Sequence, residues 1–245
     1  MCTPADVLSA LIADDPTRPA LTFYEDSPGP QLGERIELSR KVLGTWVAKA
    51  ANALQESYDC EPGTVVHLDI PAPHWRLTYW AWASWSIGAT VTRDASEGAD
   101  ILITTVPDQP HARDADEVIA VTLAALAREF GGPLRSGVMD EAREISSFAD
   151  SFEPWDAPEP GDAALVVDGR RISYADLVNR AEQHLDPPAG AARTLITTTQ
   201  PGSFLTEVLG VWAQLGSAVM VRGTTSAVSL SDARMRSEGV ERALG

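Results

Sequence analysis

The sequence predicts an α/β fold made of two similar βα halves, each a mainly parallel sheet flanked by helices. Three observations predict it. A pattern occurs twice: Ala20-Leu21-Thr22-Phe23, then Ile36-Glu37-Leu38-Ser39, a helical stretch and the run Trp82 to Val91; later Ala164-Leu165-Val166-Val167, then Ile172-Ser173-Tyr174-Ala175-Asp176-Leu177, a helical stretch and the run Val211 to Val221. Short β-branched runs alternate with stretches of helical spacing, which is how βαβ units read. The chain has 245 residues, 44% of them hydrophobic, enough to bury a core. We expect a single domain over 1–245, with pseudo-repeat halves at about 18–107 and 160–223.

Each element has a local reason. Ala5 to Ala13 reads as a short helix, and Pro19 precedes a strand at 20–24. Ser27-Pro28-Gly29-Pro30 is a turn by composition, and Ile36 to Leu38 is a second short strand or a helix entry. Leu43, Trp46, Val47, Ala50, Ala53 and Leu54 recur at helical spacing behind Ser39, a fitting N-cap. Glu61-Pro62-Gly63 turns the chain into a strand at 64–70, which Pro71 and Pro73 end. His74 to Ile87 is a helix crowded with aromatics, closed by Gly88. Strands follow at 89–92, 99–105 and 118–122, then a short helix at 123–130 broken by Gly131-Gly132-Pro133, and an acidic helix at 140–149. The acidic, proline-rich stretch 153–162 connects the halves. The second half is a strand at 163–167, a turn at Asp168-Gly169, a helix at 174–185, a strand at 193–199, a helix at 203–216 and a strand at 217–222. The last residues read as a helix over an open end.

Charge and cysteine usage narrow the partners. There are 35 acidic against 19 basic side chains, a net charge of −16. Polyanions bind through Lys and Arg, so nucleic acid and anionic membrane are not expected. The cysteines, Cys2 and Cys60, allow no disulfide framework and no metal spacing. No apolar run is long enough to span a bilayer, and the first residues lack a basic signal-peptide region. A cytoplasmic protein is the expectation.

Ile172-Ser173-Tyr174-Ala175-Asp176-Leu177, Ala51-Asn52-Ala53-Leu54 before Glu61-Pro62-Gly63-Thr64-Val65-Val66, and Ser86-Ile87-Gly88-Ala89 before a strand together resemble the N-terminal region of adenylate-forming enzymes. These include acyl-CoA synthetases, nonribosomal peptide adenylation domains and luciferases. The resemblance implies a large domain of two similar α/β halves. Ala115 to Val121 and Trp46-Val47-Ala48-Lys49 further resemble an actinobacterial protein family distantly related to these AMP-binding enzymes. It also implies what to look for and not find. The enzymes carry a Ser/Thr/Gly-rich loop and a Pro-Lys-Gly around the ATP phosphates; here that position reads Leu165-Val166-Val167-Asp168-Gly169-Arg170-Arg171-Ile172-Ser173, contracted to Asp168-Gly169. Gly223-Thr224-Thr225-Ser226 looks loop-like but lies after the last strand, with no lysine following. The Glu that holds Mg²⁺, the Thr-Gly-Asp segment for ribose and the C-terminal domain with its catalytic lysine are not found, so a truncated N-terminal domain is expected.

The ligand-binding candidates are therefore Asp168, Gly169, Arg170, Arg171 and Ser203. The two arginines read either as anion contacts or as a solvated turn. Ser203 reads either as part of an anion-binding helix start or as an ordinary cap. Trp75, Tyr79, Trp80, Trp82 and Trp85 are either core packing or an interaction surface for a homodimer or partner protein. His67, His74, His111 and His184 are scattered and form no metal spacing, and no dinucleotide fingerprint or nucleophile elbow occurs. The expected function is a degenerate, non-catalytic adenylate-forming-like domain that binds a nucleotide, an acyl ligand or a partner protein. The alternatives are a residual carboxylate-activating enzyme completed by a partner chain, and an oligomeric interaction protein. No cofactor is expected; ATP or AMP is the one the resemblance would allow.

Overall fold

The computed structural model describes residues 1–94, 98–113, 115–185, 190–223 and 232–244. In chain order the elements are α1 (Pro4–Asp14), β1 (Pro19–Glu25), β2 (Arg35–Ser39), α2 (Arg40–Tyr58), β3 (Val65–Asp69), α3 (Trp75–Ser86), β4 (Thr90–Thr92), β5 (Ile101–Thr104), β6 (Glu117–Ala120), β7 (Met139–Asp140), α4 (Glu141–Glu144), β8 (Ala163–Val167), β9 (Arg170–Ser173), α5 (Tyr174–His184), β10 (Arg193–Ile196), α6 (Pro201–Ala213), β11 (Ser217–Arg222), α7 (Asp232–Ser237) and β12 (Arg242–Leu244). Short 3₁₀ turns lie at Pro110–Arg113 and Ile145–Ser147.

The strands form two sheets. One has five strands in the order β12-β10-β11-β1-β2, the other seven in the order β7-β6-β5-β3-β4-β8-β9. Pairing is parallel throughout except in the hairpins β1–β2 and β8–β9. The repeat is written into this topology. Segment 18–107 begins hairpin–helix–strand–helix–strand (β1, β2, α2, β3, α3, β4), and 160–223 repeats that order (β8, β9, α5, β10, α6, β11). Each segment gives its hairpin to one sheet and its parallel pair to the other. The blocks β10-β11-β1-β2 and β3-β4-β8-β9 are therefore equivalent.

The chain divides into two compact units. The unit of Thr45–Ile70 and Tyr79–Leu177 (with Met1) holds the seven-stranded sheet. Its core joins aliphatic side chains, with Leu54, Val66, Leu68, Val91, Ile103 and Ile119 fully buried, to the equally buried rings of Tyr79, Trp80, Trp82 and Tyr174. Side chains one helical turn apart on α2 hold the segment that leads into the acidic stretch. Lys49 donates to the Ser146 carbonyl at 3.0 Å, Asn52 to those of Ala149 and Ser151 at 3.1 and 2.8 Å, and Gln55 to that of Glu153 at 3.3 Å. Carbonyls of irregular backbone find partners in this way. The Tyr174 hydroxyl, at the start of α5, donates to the Ala89 carbonyl at 2.7 Å.

The unit of Cys2–Gly44, Pro71–Thr78 and Val178–Gly245 holds the five-stranded sheet. A capping box starts α1: the Thr3 hydroxyl accepts from Asp6 N, and the Asp6 carboxylate accepts from Thr3 N. Arg40 is fully buried and donates to the Leu11 and Leu215 carbonyls at 3.0 and 2.7 Å and to Asp14 at 2.5 Å. Helices α5 and α6 meet at Gly210, where a Cβ would lie 2.4 Å from the Ala181 carbonyl oxygen. On the sheet, Glu238 is bound by Arg35 at 3.0 Å, by Arg193 at 2.8 Å and by the Tyr24 hydroxyl.

Two helical readings are corrected. Residues 123–130 form no helix: apart from one turn at Ala124–Ala127, the Phe130 amide turns away to the Asp140 carboxylate at 2.9 Å. An isolated helix that short is marginal in water, so one tertiary hydrogen bond outweighs good local propensity. The helix expected at 140–149 shrinks to α4 and one 3₁₀ turn, and Lys49 binds the carbonyls of Ser146 and Phe148 at the end of that turn. The sequence reading also missed β7, β9 and β12. The last of these pairs with β10 at the sheet edge, where a helix alone was expected.

Candidate functional site

In parallel α/β sheets, ligands sit outside the carboxyl ends of the strands. In the seven-stranded sheet those ends bring together Asp69 (β3), Arg93 (after β4) and Thr104 (β5), with His111 from the following 3₁₀ turn. Asp69 Oδ2 accepts from the Thr104 hydroxyl at 2.6 Å and lies 3.2 Å from His111 Nε2. Arg93 donates Nη1 to the Ile70 carbonyl at 2.8 Å, while its buried Nε has no hydrogen-bond partner among the described residues. Burial pulls the Arg93 guanidinium down to about 10, against the opposing pull of Asp69. His67, on β3 behind this group, is held below the usual histidine range by burial and then by Arg93, so it is neutral at pH 7. The sequence reading listed both histidines as scattered; the register that places Asp69 beside Thr104 is set by strand pairing, which no local pattern shows.

The residues expected to contact phosphates stand apart from this cluster in character. Asp168 and Gly169 are the whole connection between β8 and β9, both with positive φ (+51° and +68°). That is the backbone of a tight primed hairpin turn, which Asp-Gly favours. All of Asp168, Gly169, Arg170 and Arg171 are exposed, and Val167 pairs directly with Arg170 across the hairpin. The turn has no room to wrap an anion with backbone N–H groups, because its neighbours are committed to strand pairing. Ser203 is exposed at the third position of α6; the capping position is Gln200, followed by Pro201. Thr224, Thr225 and Ser226 lie outside the described residues.

The aromatic helix is a correction to the interaction-surface reading. Trp75, Tyr79, Trp80, Trp82 and Trp85 are all between 0 and 3% exposed. Helix α3 also buries the polar Arg76, Thr78 and Ser84. Trp82 and Trp85 meet edge to face at 4.9 Å, Trp85 Nε1 donates to the Ala164 carbonyl at 2.7 Å, and the Tyr79 hydroxyl bonds Glu141. These rings are core and offer no face to a partner.

Among the described residues no group of His, Cys, Asp and Glu side chains is placed to hold a metal ion, and no helix is long and apolar enough to cross a membrane.

No known family model matches the chain. A Mycobacterium tuberculosis protein, named for a numbered sequence family and not for an activity, is 32% identical over 177 residues, which are 68% of this chain and 66% of that relative. Solved structures that resemble this chain include acyl-CoA synthetases and ligases. The Brucella canis acyl-CoA synthetase superposes with a TM-score of 0.78 at 16% identity, over 98% of this chain and 46% of that one. The Archaeoglobus fulgidus long-chain-fatty-acid–CoA ligase gives 0.72 at 15% identity, over 96% and 50%. The Streptomyces lividans acetoacetyl-CoA synthetase gives 0.68 at 15% identity, over 89% and 38%. The chain thus has the fold of adenylate-forming enzymes and spans half or less of these structures' length.

Proposed function

We propose that this chain is an adenylate-forming scaffold that has given up adenylation and serves as a binding domain. The observation that carries the reading is the Asp168-Gly169 turn. Where the resemblance puts a phosphate-wrapping loop, the chain makes the shortest possible hairpin, with an exposed carboxylate at its tip. A carboxylate there repels a triphosphate, and phosphoryl transfer depends almost wholly on positioning and charge stabilisation. Two exposed arginines on a strand do not replace a backbone cradle. The sequence relative, whose name gives no activity, is compatible with this reading. The test is ATP–pyrophosphate exchange with a pool of carboxylic acids. No exchange above a no-protein blank is expected. Exchange that falls when Asp168 or Arg170 is substituted would establish the competing reading, a residual carboxylate-activating ligase or ligase subunit.

A second reading has its own observation. The Asp69, Thr104, His111 and Arg93 cluster sits where this fold class holds ligands, and it supports retained binding, without chemistry, of a small acyl ligand or of a nucleotide lacking the triphosphate. A cytoplasmic location and a partner protein remain part of the proposal, consistent with the acidic charge and the cysteine usage.

A further inference from the structure

We propose that this chain binds a second copy of itself by exchange, so that residues 1–155 of one copy are completed by residues 159–245 of the other. Neither stretch closes its own sheets. Without the second, one side of β1 and one side of β4 are left open, because β1 pairs β11 and β4 pairs β8. Without the first, the same two pairings leave β11 and β8 open. An unpaired strand edge is a template for another chain, and proteins built from repeats are prone to fill it from a second copy.

The side chains that close these edges are matched between the repeats. Trp85 and Trp212 each stand three residues before a residue of positive φ, Gly88 (+79°) after α3 and Leu215 (+60°) after α6. Trp85 Nε1 donates at 2.7 Å to the carbonyl of Ala164, the second residue of β8. Trp212 Nε1 donates at 3.0 Å to the carbonyl of Ala20, the second residue of β1. The first residues of the helices that follow the hairpins complete the pattern. Tyr174 donates to the Ala89 carbonyl at 2.7 Å, just before β4, and Arg40 to the Leu215 carbonyl at 2.7 Å, just before β11. All four donors are at most 1% exposed. Each of these bonds runs from one repeat to the other, so a second copy supplies the same partner at the same place and the rings stay in the core. Exchange therefore loses no buried contact, and the balance between monomer and dimer rests on the hinge and on concentration.

The hinge is short and fastened on both sides. Gln55 of α2 donates to the Glu153 carbonyl at 3.3 Å and accepts from the Trp155 amide at 3.0 Å, which ties the chain up to 155 to the first stretch. The Glu159 amide donates to Asp162 Oδ2 at 2.7 Å. The Pro160 and Asp162 carbonyls accept from the Ala175 and Tyr174 amides at 3.1 and 3.0 Å, which ties the chain from 159 to the second stretch. Among the described residues Asp156, Ala157 and Pro158 make no hydrogen bond. A short hinge favours exchange over closure. Trp155, beside it, is 61% exposed; the two hinges run together in a closed dimer, which brings both Trp155 rings into the surface that the dimer adds.

The experiment unfolds the full chain in urea, refolds it by dilution, and reads its mass by size-exclusion chromatography with light scattering. Refolding is done at about 5 µM and at about 500 µM protein, because tethered halves meet at an effective concentration near millimolar and only the higher value lets a second copy compete. Monomer is expected at the lower concentration, and a dimeric share of about a tenth or more at the higher. That dimer keeps the near-ultraviolet circular dichroism of the monomer, since every tryptophan regains its partner, and it stays dimeric when diluted. A second arm deletes residues 156–158, which removes the span that lets one copy close on itself; this variant should be dimeric at the lower concentration as well. Monomer alone at both concentrations, a dimer that falls apart on dilution without unfolding, a ladder of larger species, or a folded and monomeric deletion variant would each overturn the proposal. If the deletion variant does not fold, the concentration series on the unaltered chain still decides. The result is independent of whether ATP–pyrophosphate exchange is found.

Discussion

At the scale of single residues, the most constrained charge is Glu238. Burial pushes its carboxyl up, but the hydrogen bonds from Arg35, Tyr24 and Arg193 outweigh burial and bring it to about 2. A carboxyl lower in the folded than in the unfolded chain adds stability above its unfolded value and loses it as pH falls. We therefore expect urea stability to decline between about pH 4.5 and 2 with a share that Glu238→Gln removes, while at pH 7 the variant is the less stable by about 1–3 kcal/mol. Unchanged stability of the variant at pH 7 would show that this network contributes nothing. None of it was legible beforehand: strand pairing brings Tyr24, Arg35 and Arg193 together, and the turn after α7 brings Glu238 to them. The Asp168-Gly169 turn was legible, because the need for positive φ at both positions is a local property that Asp-Gly announces.

At the scale of elements, the sequence showed whatever helical or strand periodicity enforces and missed what tertiary contacts override. Ser39 caps α2 as read, its hydroxyl accepting from Val42 N at 3.2 Å. Helix α3 was placed correctly, but whether its aromatics face core or solvent was left open, since four aromatics near one face with Trp80 off it fit core packing and a partner surface alike. The helix expected at 123–130 had favourable propensity and lost to the Asp140 carboxylate. Close packing of α5 on α6 gives the clearest test at this scale. Gly210→Ala places a methyl 2.4 Å from the Ala181 carbonyl and against Leu185, so the helices must separate. A loss of about 1–3 kcal/mol is expected from thermal or urea unfolding; a neutral variant would mean that the two helices do not touch there.

For the whole molecule, the repeat and the hairpin carry different parts of the account. The repeat fixes the architecture: equivalent blocks β10-β11-β1-β2 and β3-β4-β8-β9, and a fold shared with acyl-CoA synthetases at TM-scores up to 0.78. The resemblance was read from the order of short motifs in this chain, and the fold agrees at an overall identity of 16%. What sequence could not show was how two sheets share two repeats, because exchange of hairpins is a matter of long-range pairing. On the reading proposed above, the hairpin at Asp168-Gly169 sets the function apart from the fold. The most direct test is thermal unfolding with and without saturating ATP and Mg²⁺. The account expects an unchanged midpoint with ATP. A ligand at 100 times its Kd adds about 2.7 kcal/mol, so a saturable rise of about 5 °C or more that depends on Mg²⁺ would contradict it.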